Sequence, residues 1–326
     1  MQLDPEISRM LERAKGSAGR GVGDLPLDEG RAAYRQRYLA RGLPHLQGIA
    51  TSDHCIPIEG GTIEARLYRA PNSSSARPAV IYFHGGGFVL GDIAAYDNQS
   101  RQLAAQSGVD ILFVDYRLAP EHPFPAAIED SIAALNWLRG NANVLDIDPE
   151  CISLMGDSAG GNLAINAALA AARAGRPVTQ ATLLYPVTDF RPFTIGGIDY
   201  PSVVAYGEGF FLDTALMRFF SELYLTSPED ALNPMASPLL SKDLRLLPPH
   251  VVITAGHDPL RDQGYAFHLA AKAAGVASDY VCQEAMIHNF LGQGGISAGA
   301  AKVFAEVAAT LARQLGAAAG IRTSDM

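Results

Sequence analysis

The sequence predicts an α/β fold in which a mostly parallel central sheet is flanked by helices. Apolar, β-prone runs alternate with helical segments along most of the 326 residues, and helices are the usual crossovers between parallel strands. At 151–172, apolar and β-prone residues lead into a glycine-rich turn and then into an alanine-rich helix, which is the same order. The length suits one large α/β domain, or such a core with an appended lid.

The predicted core elements follow one another in a regular order. A hairpin begins at residue 51, turns at Gly60–Gly61 and adds an antiparallel edge to the sheet. Later strands are predicted at 79–83, 109–114, 151–155, 182–185, 251–255 and 280–281. Helices are predicted at 97–106, 126–139 and 163–172. Strands separated in this way form a parallel sheet that is covered on both faces.

The N-terminal segment, residues 1–50, does not fit this alternation. It carries apolar residues at helical spacing in two stretches, which Pro26 and Gly30 separate. The segment could add a third helical layer to the core. Because it precedes the first strand and has its own apolar faces, we expect it to form part of a helical cap.

A second segment, residues 190–235, is predicted to be a cap insertion. Prolines and glycines interrupt its first half, and a run rich in Phe and Tyr follows. This run is either an ordinary core helix or the roof of an apolar substrate pocket. The catalytic core would then comprise 51–189 and 236–326. Candidate pocket residues are Phe88, Phe210, Phe211 and Leu212.

Composition and charge argue against several classes of function. The net charge of −9 disfavours a polyanionic partner, so nucleic-acid binding is not expected. No apolar run approaches the roughly 20 residues of a membrane span. The three cysteines lack metal-ligand spacing and predict neither a metal site nor a disulfide framework. The acidic N-terminus lacks the features of a secretory signal, which predicts a cytoplasmic location.

The turn between the strand and the alanine-rich helix reads Gly156-Asp157-Ser158-Ala159-Gly160. A serine on such a turn takes a strained backbone conformation that directs its hydroxyl out of the sheet, and small neighbours avoid clashes. The pentapeptide alone is equally compatible with an ordinary glycine-rich turn. If the motif is functional, Ser158 is the nucleophile and Asp157 has a structural role.

The first buried strand ends in the sequence His-Gly-Gly-Gly-Phe at 84–88. Three consecutive glycines leave backbone amides that can converge on an anion without interference from side chains. We expect His84, with Gly85, to support this loop through backbone hydrogen bonds and not to act as a base. The predicted oxyanion hole consists of the amides of Gly86, Gly87 and Ala159.

A serine nucleophile needs a base, and the base needs an orienting group. Asp258 and His288 each follow a predicted strand end, where their side chains can reach the serine. Asp262 is the rival to Asp258, although it is more simply a cap or charge at a helix start. The other histidines precede the serine, adjoin Asp258, lie in a helix or stand at the wrong strand end: His45, His54, His122, His250, His257 and His268.

Together, these motifs and the sequences at 115–121 (Asp-Tyr-Arg-Leu-Ala-Pro-Glu) and 258–262 resemble the hormone-sensitive-lipase-like family of bacterial esterases, in its Gly-Asp-Ser-Ala-Gly subgroup. The resemblance covers the chain from about residue 60 to its end. It implies an α/β-hydrolase fold with a helical cap, hydrolysis of short- to medium-chain carboxylic esters without a cofactor, and frequently a homodimer. Ala285 and Asn289 stand where the family usually has glycines, but Asn adopts a left-handed conformation readily.

The resulting hypothesis is a serine carboxylesterase in which His288, oriented by Asp258, activates Ser158 to form an acyl-enzyme. One alternative is an amidase or carbamate hydrolase with the same triad, which paired ester and anilide assays would distinguish. Another is a non-catalytic small-molecule receptor on this fold. The plant gibberellin receptors resemble the family but lack the catalytic histidine, and a receptor would not react with a fluorophosphonate at Ser158.

Overall fold

The computed structural model describes residues 2–15, 22–71, 76–197 and 199–322, and an eight-stranded sheet forms its centre. The strands are β1 (Thr51–Ile58), β2 (Gly61–Tyr68), β3 (Arg77–Phe83), β4 (Asp110–Asp115), β5 (Ile147–Asp157), β6 (Ala181–Leu184), β7 (His250–His257) and β8 (Ser278–Ile287). Their order across the sheet is β1-β2-β4-β3-β5-β6-β7-β8. β2 pairs antiparallel with β1 and β4, and the pairs from β4 to β8 are parallel. The predicted mostly parallel sheet with an antiparallel edge is confirmed.

Helices cover both faces of this sheet. They are α1 (Pro5–Lys15), α2 (Leu27–Arg41), α3 (Ile93–Ser107), α4 (Ala126–Asn141), α5 (Ala159–Arg173), α6 (Pro201–Tyr206), α7 (Thr214–Tyr224), α8 (Arg261–Ala273) and α9 (Ala298–Arg322). Short 3-10 turns occur at Val22–Asp24, Arg191–Phe193, Pro228–Leu232, Pro238–Leu240, Leu244–Leu246 and Phe290–Gln293. None of the helices in the described ranges is long and apolar enough to cross a membrane.

The apolar core is divided into two layers by the sheet. One layer includes Leu135 of α4, Leu163 of α5 and Phe267 of α8. The other includes Leu103 of α3 and Phe304 of α9. The central strands are apolar on both sides, as in β7, where all eight residues are buried, because each face is covered by helices. This burial holds the carboxyl ends of the strands, and the loops that follow them, in fixed positions.

Several element boundaries differ from the sequence-based expectation; α5 and β5, for example, each begin four residues earlier than predicted. Helix α3 begins four residues earlier than predicted, because the Asp92 side chain caps it by accepting a hydrogen bond from the Ala95 amide at 2.7 Å. Gly30 does not separate the two N-terminal helices but lies inside α2, where its amide donates to the Pro26 carbonyl at 2.9 Å. Of the two residues expected to separate the helices, only Pro26 lies before α2. Residues 16–21 lie outside the described part of the chain.

Candidate active site

Ser158 lies at the junction of β5 and α5 with φ 55° and ψ −116°, the strained conformation that the motif predicts. Its amide donates to the Leu184 carbonyl at 2.9 Å, which ties the turn to β6. Gly156 and Gly160, two residues to either side, are required because a side chain at either position would clash with the backbone. A Cβ at Gly156 would lie 2.0 Å from the Gly160 carbonyl oxygen, and one at Gly160 would lie 1.9 Å from that of Phe83. The strand, turn and helix therefore hold the serine hydroxyl above the sheet edge.

Two later loops bring an imidazole and a carboxylate to this hydroxyl. His288 Nε2 lies 2.9 Å from Ser158 Oγ, and His288 Nδ1 lies 2.7 Å from Asp258 Oδ2. The other Asp258 oxygen accepts a hydrogen bond from the Leu260 amide at 2.8 Å. The side chains of Ser158, His288 and Asp258 are all buried. When Nδ1 donates to the carboxylate, Nε2 is left as the acceptor for the serine hydroxyl.

The rival Asp262 points elsewhere. Its carboxylate accepts hydrogen bonds from the Ser202 amide at 2.7 Å and from Arg261 Nε at 2.8 Å, in the first turn of α8. It therefore serves the contact between α8 and the start of α6. Among the other histidines, His268 lies inside α8 as expected and bonds Ser278 at 2.9 Å. These residues belong to the packing around the site and do not reach the serine.

The loop after β3 is held by side chains beneath it. His84 is fully buried, its Nδ1 lies 2.7 Å from the Gly85 carbonyl oxygen, and its ring stacks on Tyr116 with centroids 4.3 Å apart. Burial lowers the pKa of His84 to about 4, so the ring is neutral at physiological pH. The backbone takes φ 110° at Gly86 and φ 64° at Gly87, values that favour glycine.

Asp157 anchors this same loop from below. Its Oδ1 accepts hydrogen bonds from the Gly85 amide at 3.0 Å and from the Tyr82 hydroxyl at 2.7 Å. Gln99 donates to the Tyr82 oxygen at 2.5 Å, and the Tyr38 hydroxyl donates to Gln99 at 2.6 Å. Burial raises the pKa of Asp157 to about 6, although both hydrogen bonds oppose this shift. Sequence reasoning gave Asp157 a structural role but missed its partners, which come from three separate elements and carry no shared motif.

A cavity of about 730 Å³ opens above Ser158 and His288. Phe88, Phe211 and Leu212 line it as predicted. Phe210, the fourth predicted pocket residue, does not line this cavity; its ring packs against His257 and Tyr206, with centroids 5.6 and 5.2 Å away. Further lining residues come from both segments that the sequence marks as cap: Met10, Leu11, Ala14, Gly23, Asp24, Tyr34, Arg37, Tyr38, Arg41, Asp213, Ala215, Leu216, Met217, Phe219 and Phe220.

Of the two residues that stand where the resembled family usually has glycine, only Asn289 lies in the loop after β8. Asn289 takes φ 60° and ψ 35°, the left-handed conformation that Asn adopts more readily than most residues. Ala285 lies within β8. His288 is thereby presented to Ser158 without a glycine on its C-terminal side. Within the described ranges, no group of three or more His, Cys, Asp or Glu side chains could hold a metal ion.

The fold and this site define an α/β hydrolase with a serine at its centre. Residues 80–292 match a protein family described by the alpha/beta hydrolase fold. The chain is 34% identical to an ethyl acetate hydrolase of Pseudomonas putida, covering 91% of this chain and 94% of that protein. It is 36% identical to the carboxylic ester hydrolase LipN of Mycobacterium tuberculosis, covering 95% and 84% respectively.

Solved structures of esterases resemble this chain over nearly its whole length. An ester hydrolase from the metagenome of Lake Arreo, crystallised with a bipyridine phosphonate derivative, superposes with a TM-score of 0.90 at 35% identity, covering 97% of this chain and 100% of that one. An esterase of Pyrobaculum calidifontis gives a TM-score of 0.85 at 36% identity, covering 95% and 98%. The chain therefore belongs to the α/β-hydrolase-fold family of hormone-sensitive-lipase-like esterases. The prediction of a carboxylic ester hydrolase is confirmed.

Proposed function

We propose that the protein hydrolyses short- to medium-chain carboxylic esters through an acyl-enzyme on Ser158. The observation that carries this proposal is the unbroken chain of hydrogen bonds from Asp258 through His288 to Ser158. It ends on a hydroxyl that faces a largely apolar cavity. This is the arrangement that an acyl-transfer nucleophile requires.

The mechanism follows from the orientation of the imidazole. His288 takes the proton of Ser158 through Nε2 as the hydroxyl attacks the ester carbonyl carbon. The carboxylate of Asp258 holds the tautomer and stabilises the imidazolium that forms. His288 then protonates the leaving alcohol, and water repeats the cycle on the acyl-enzyme. No residue beyond these three is needed to move a proton.

The developing oxyanion is stabilised by the amides of Gly86, Gly87 and Ala159. Ala159 is the first residue of α5, where backbone amides have no partner within the helix and the helix dipole favours negative charge. In the described part of the chain, the Gly86 and Gly87 amides donate to no protein acceptor. The position of this loop relative to Ser158 depends on Asp157 and His84, which both contact Gly85.

The substrate range follows from the cap. Residues 1–50 and 190–235 act as the two cap segments, because each contributes side chains to the cavity above the serine. A cavity of about 730 Å³ accommodates a small ester and limits access of large aggregates such as lipid emulsions. A cytoplasmic location and a homodimer remain predictions from the sequence and from the family resemblance.

Replacement of the nucleophile tests the proposal. Ser158→Ala is expected to lower kcat for 4-nitrophenyl butyrate by at least about 10⁴-fold, and to abolish labelling by a fluorophosphonate. Ser153→Ala is the matched control. Ser153 is also buried, in β5, but its hydroxyl has no hydrogen-bond partner among the described residues, so its loss should leave the rate within a few-fold.

A second arm separates ester from amide hydrolysis. Aryl esters from acetate upward and the matching anilide are assayed with the same preparation. We expect the esters to be cleaved much faster than the anilide, with an optimum at short or medium acyl chains. Ser158→Ala protein that keeps more than a trace of activity, or an anilide that is cleaved as fast as its ester, would contradict the proposal.

A further inference from the structure

One cation in the cavity, among the residues that the structure describes, has no hydrogen-bond or ion-pair partner. Arg41, the last residue of α2, lines the cavity that contains Ser158 and His288. Its guanidinium carbon lies 5.4 Å from the centroid of the Phe211 ring. Over the described ranges, its guanidinium forms no hydrogen bond or ion pair with any side chain or carbonyl. The undescribed stretch 16–21, which follows α1, contains no acidic residue.

The environment of this guanidinium makes its charge costly. Burial lowers the pKa of Arg41, and the positive charge of Arg37, one turn earlier on the same face, lowers it further. An arginine nevertheless stays protonated in proteins. A partly buried cation that no acid neutralises is destabilising unless an anion completes it. Such a residue in a substrate cavity is therefore explained by an anionic group on the substrate.

Acidic groups nearby do not supply that anion. Asp213 caps α7 by accepting a hydrogen bond from the Leu216 amide at 2.7 Å. Asp157 is committed to the loop below the cavity. Asp24 also lines the cavity and has an interaction of its own, and it is not among the groups that shift the pKa of Arg41. A single guanidinium balances one negative charge, so a monoanionic carboxylate matches it better than a dianion such as a phosphate monoester.

The backbone around Arg41 fixes its place relative to the catalytic histidine. The Arg41 carbonyl accepts a hydrogen bond from the Gly295 amide at 2.8 Å. A Cβ at Gly292 would lie only 3.1 Å from the Tyr38 ring. The C-terminal end of α2 is thus packed on the segment that follows His288. The backbone that carries the guanidinium is therefore anchored at the same cavity, and apolar side chains such as Leu11 line the space as well.

From this geometry we infer that the enzyme prefers esters that carry a free carboxylate at the far end of a hydrocarbon chain, with Arg41 as the residue that selects it. The carboxylate would accept paired hydrogen bonds from the planar guanidinium, which a lysine cannot reproduce. The hydrocarbon chain would lie along the apolar wall. This inference rests on the proposed function of Ser158, because it assigns a substrate class to that same site.

Matched pairs of esters test the inference. In the first arm, monoethyl esters of dicarboxylic acids from glutarate to suberate are compared with ethyl esters of the monocarboxylic acids of equal chain length. In the second arm, ω-acetoxy carboxylates are compared with alkyl acetates of equal length. The first arm places the carboxylate on the acyl side of the ester, and the second places it on the alcohol side. At one chain length or more, kcat/KM for the carboxylate ester should exceed that for its neutral partner.

Substitutions then assign the preference to one residue. Arg41→Gln should lower the ratio of the two kcat/KM values by about 10- to 100-fold, the effect of one charged hydrogen-bonding partner, chiefly through KM. Arg41→Lys should retain part of the preference. Arg139→Gln is the matched control, because Arg139 is also partly buried and bonds only the Pro177 carbonyl among the described residues, outside the cavity. It removes the same charge and should leave the ratio unchanged.

The outcomes are distinguishable. The inference is overturned if the neutral ester is preferred at every length in both arms, or if Arg41→Gln changes the ratio no more than Arg139→Gln does. If the wild-type protein hydrolyses neither the carboxylate esters nor the neutral esters, the proposed function itself fails. If Arg41→Gln loses activity on both ester classes, the wild-type ratio and its decline with rising ionic strength decide the question.

Discussion

Two buried aspartates stand beside the serine and do different work. Asp157 closes β5 and is 1% exposed, and Asp258 follows β7 and is 0% exposed. Asp258 accepts a hydrogen bond from the imidazole of His288, which becomes a cation during the proposed reaction. Asp157 accepts from two neutral donors, the Tyr82 hydroxyl and the Gly85 amide. The residue type and the burial are the same, and only the partners differ.

This difference in partners indicates whether each site requires a negative charge or only a hydrogen-bond acceptor. A carboxylate beside an imidazole gains from the positive charge that appears in the transition state. A carboxylate beside neutral donors pays for desolvation without such a gain, and the pKa of Asp157 accordingly rises to about 6. We therefore expect the negative charge to be essential at Asp258 and dispensable at Asp157, where a neutral acceptor can hold the loop.

The largest effect is expected for Asp258→Asn. Loss of the carboxylate removes the group that fixes the imidazole tautomer, and kcat should fall by about 10⁴-fold while the fold is retained. Kinetics with an aryl ester and a thermal melt measure the two quantities. Asp262→Asn, four residues further on, is the control and should leave kcat within about 10-fold. If Asp262→Asn were the more damaging change, the orienting role would belong to the rival.

A smaller effect is expected when the loop that Asp157 anchors is deformed directly. At Gly87 the backbone has φ 64°, and an added Cβ would lie 2.3 Å from the Phe220 ring. Gly87→Ala should displace the adjacent amide and lower kcat by about 10²- to 10³-fold, the effect of losing one oxyanion-hole donor.

Gly140→Ala provides the matched control for that change. Gly140 lies inside α4 with nothing within 4 Å of an added Cβ, so alanine should raise the stability by about 0.5–1 kcal/mol without altering kcat. A rate for Gly87→Ala equal to that of the control would show that the Gly87 amide does not face the oxyanion.

The smallest effect on rate is expected for Asp157→Asn, whose signature is the pH dependence of stability. The native pKa of about 6 lies above the ordinary value of 3.8. The native state therefore binds the proton more tightly, and the stability due to this group is present at acidic pH and lost as the pH rises through 6. Relative to Asp157→Asn, the wild type should lose up to about 3 kcal/mol between pH 4 and pH 7.

Denaturant melts of both proteins across this range measure the difference. Any constant cost of fitting the Asn amide cancels, because only the change with pH is compared. We expect kcat for Asp157→Asn to stay within about 10-fold of the wild type. Parallel stability profiles, or a rate loss as large as that of Asp258→Asn, would show that both aspartates need their charge.

The sequence could indicate the residues at the centre of the candidate site because that part is governed by local rules. A serine with φ 55° needs small neighbours on both sides. The three glycines after β3 are likewise required because an added Cβ would clash with neighbouring atoms. Such constraints leave a readable motif. The positions of Asp258 and His288 follow from a second rule, since the carboxyl ends of parallel strands share one sheet edge.

The proposed cap could be predicted only in outline. The apolar run after residue 209 indicated a pocket roof, but of the neighbours Phe210 and Phe211 only Phe211 lines the cavity, and Phe210 packs against His257. Spacing cannot assign the facing of residues in an irregular segment, because neither the helical nor the strand period applies there. The start of α3 was missed for a related reason, since a side-chain cap and not the apolar pattern determined it.

The sequence by itself thus determined the class of fold and indicated a candidate nucleophile with its candidate partners. Only the tertiary structure decided which side chains surround them. These are the series of hydrogen bonds from Tyr38 through Gln99 and Tyr82 to Asp157, and the Arg41 guanidinium, which has no ion-pair partner among the described residues. Motifs record constraints on backbone geometry between near neighbours in the chain. Burial and pairing arise from contacts between distant segments, and those are fixed only when the helices and the sheet pack together.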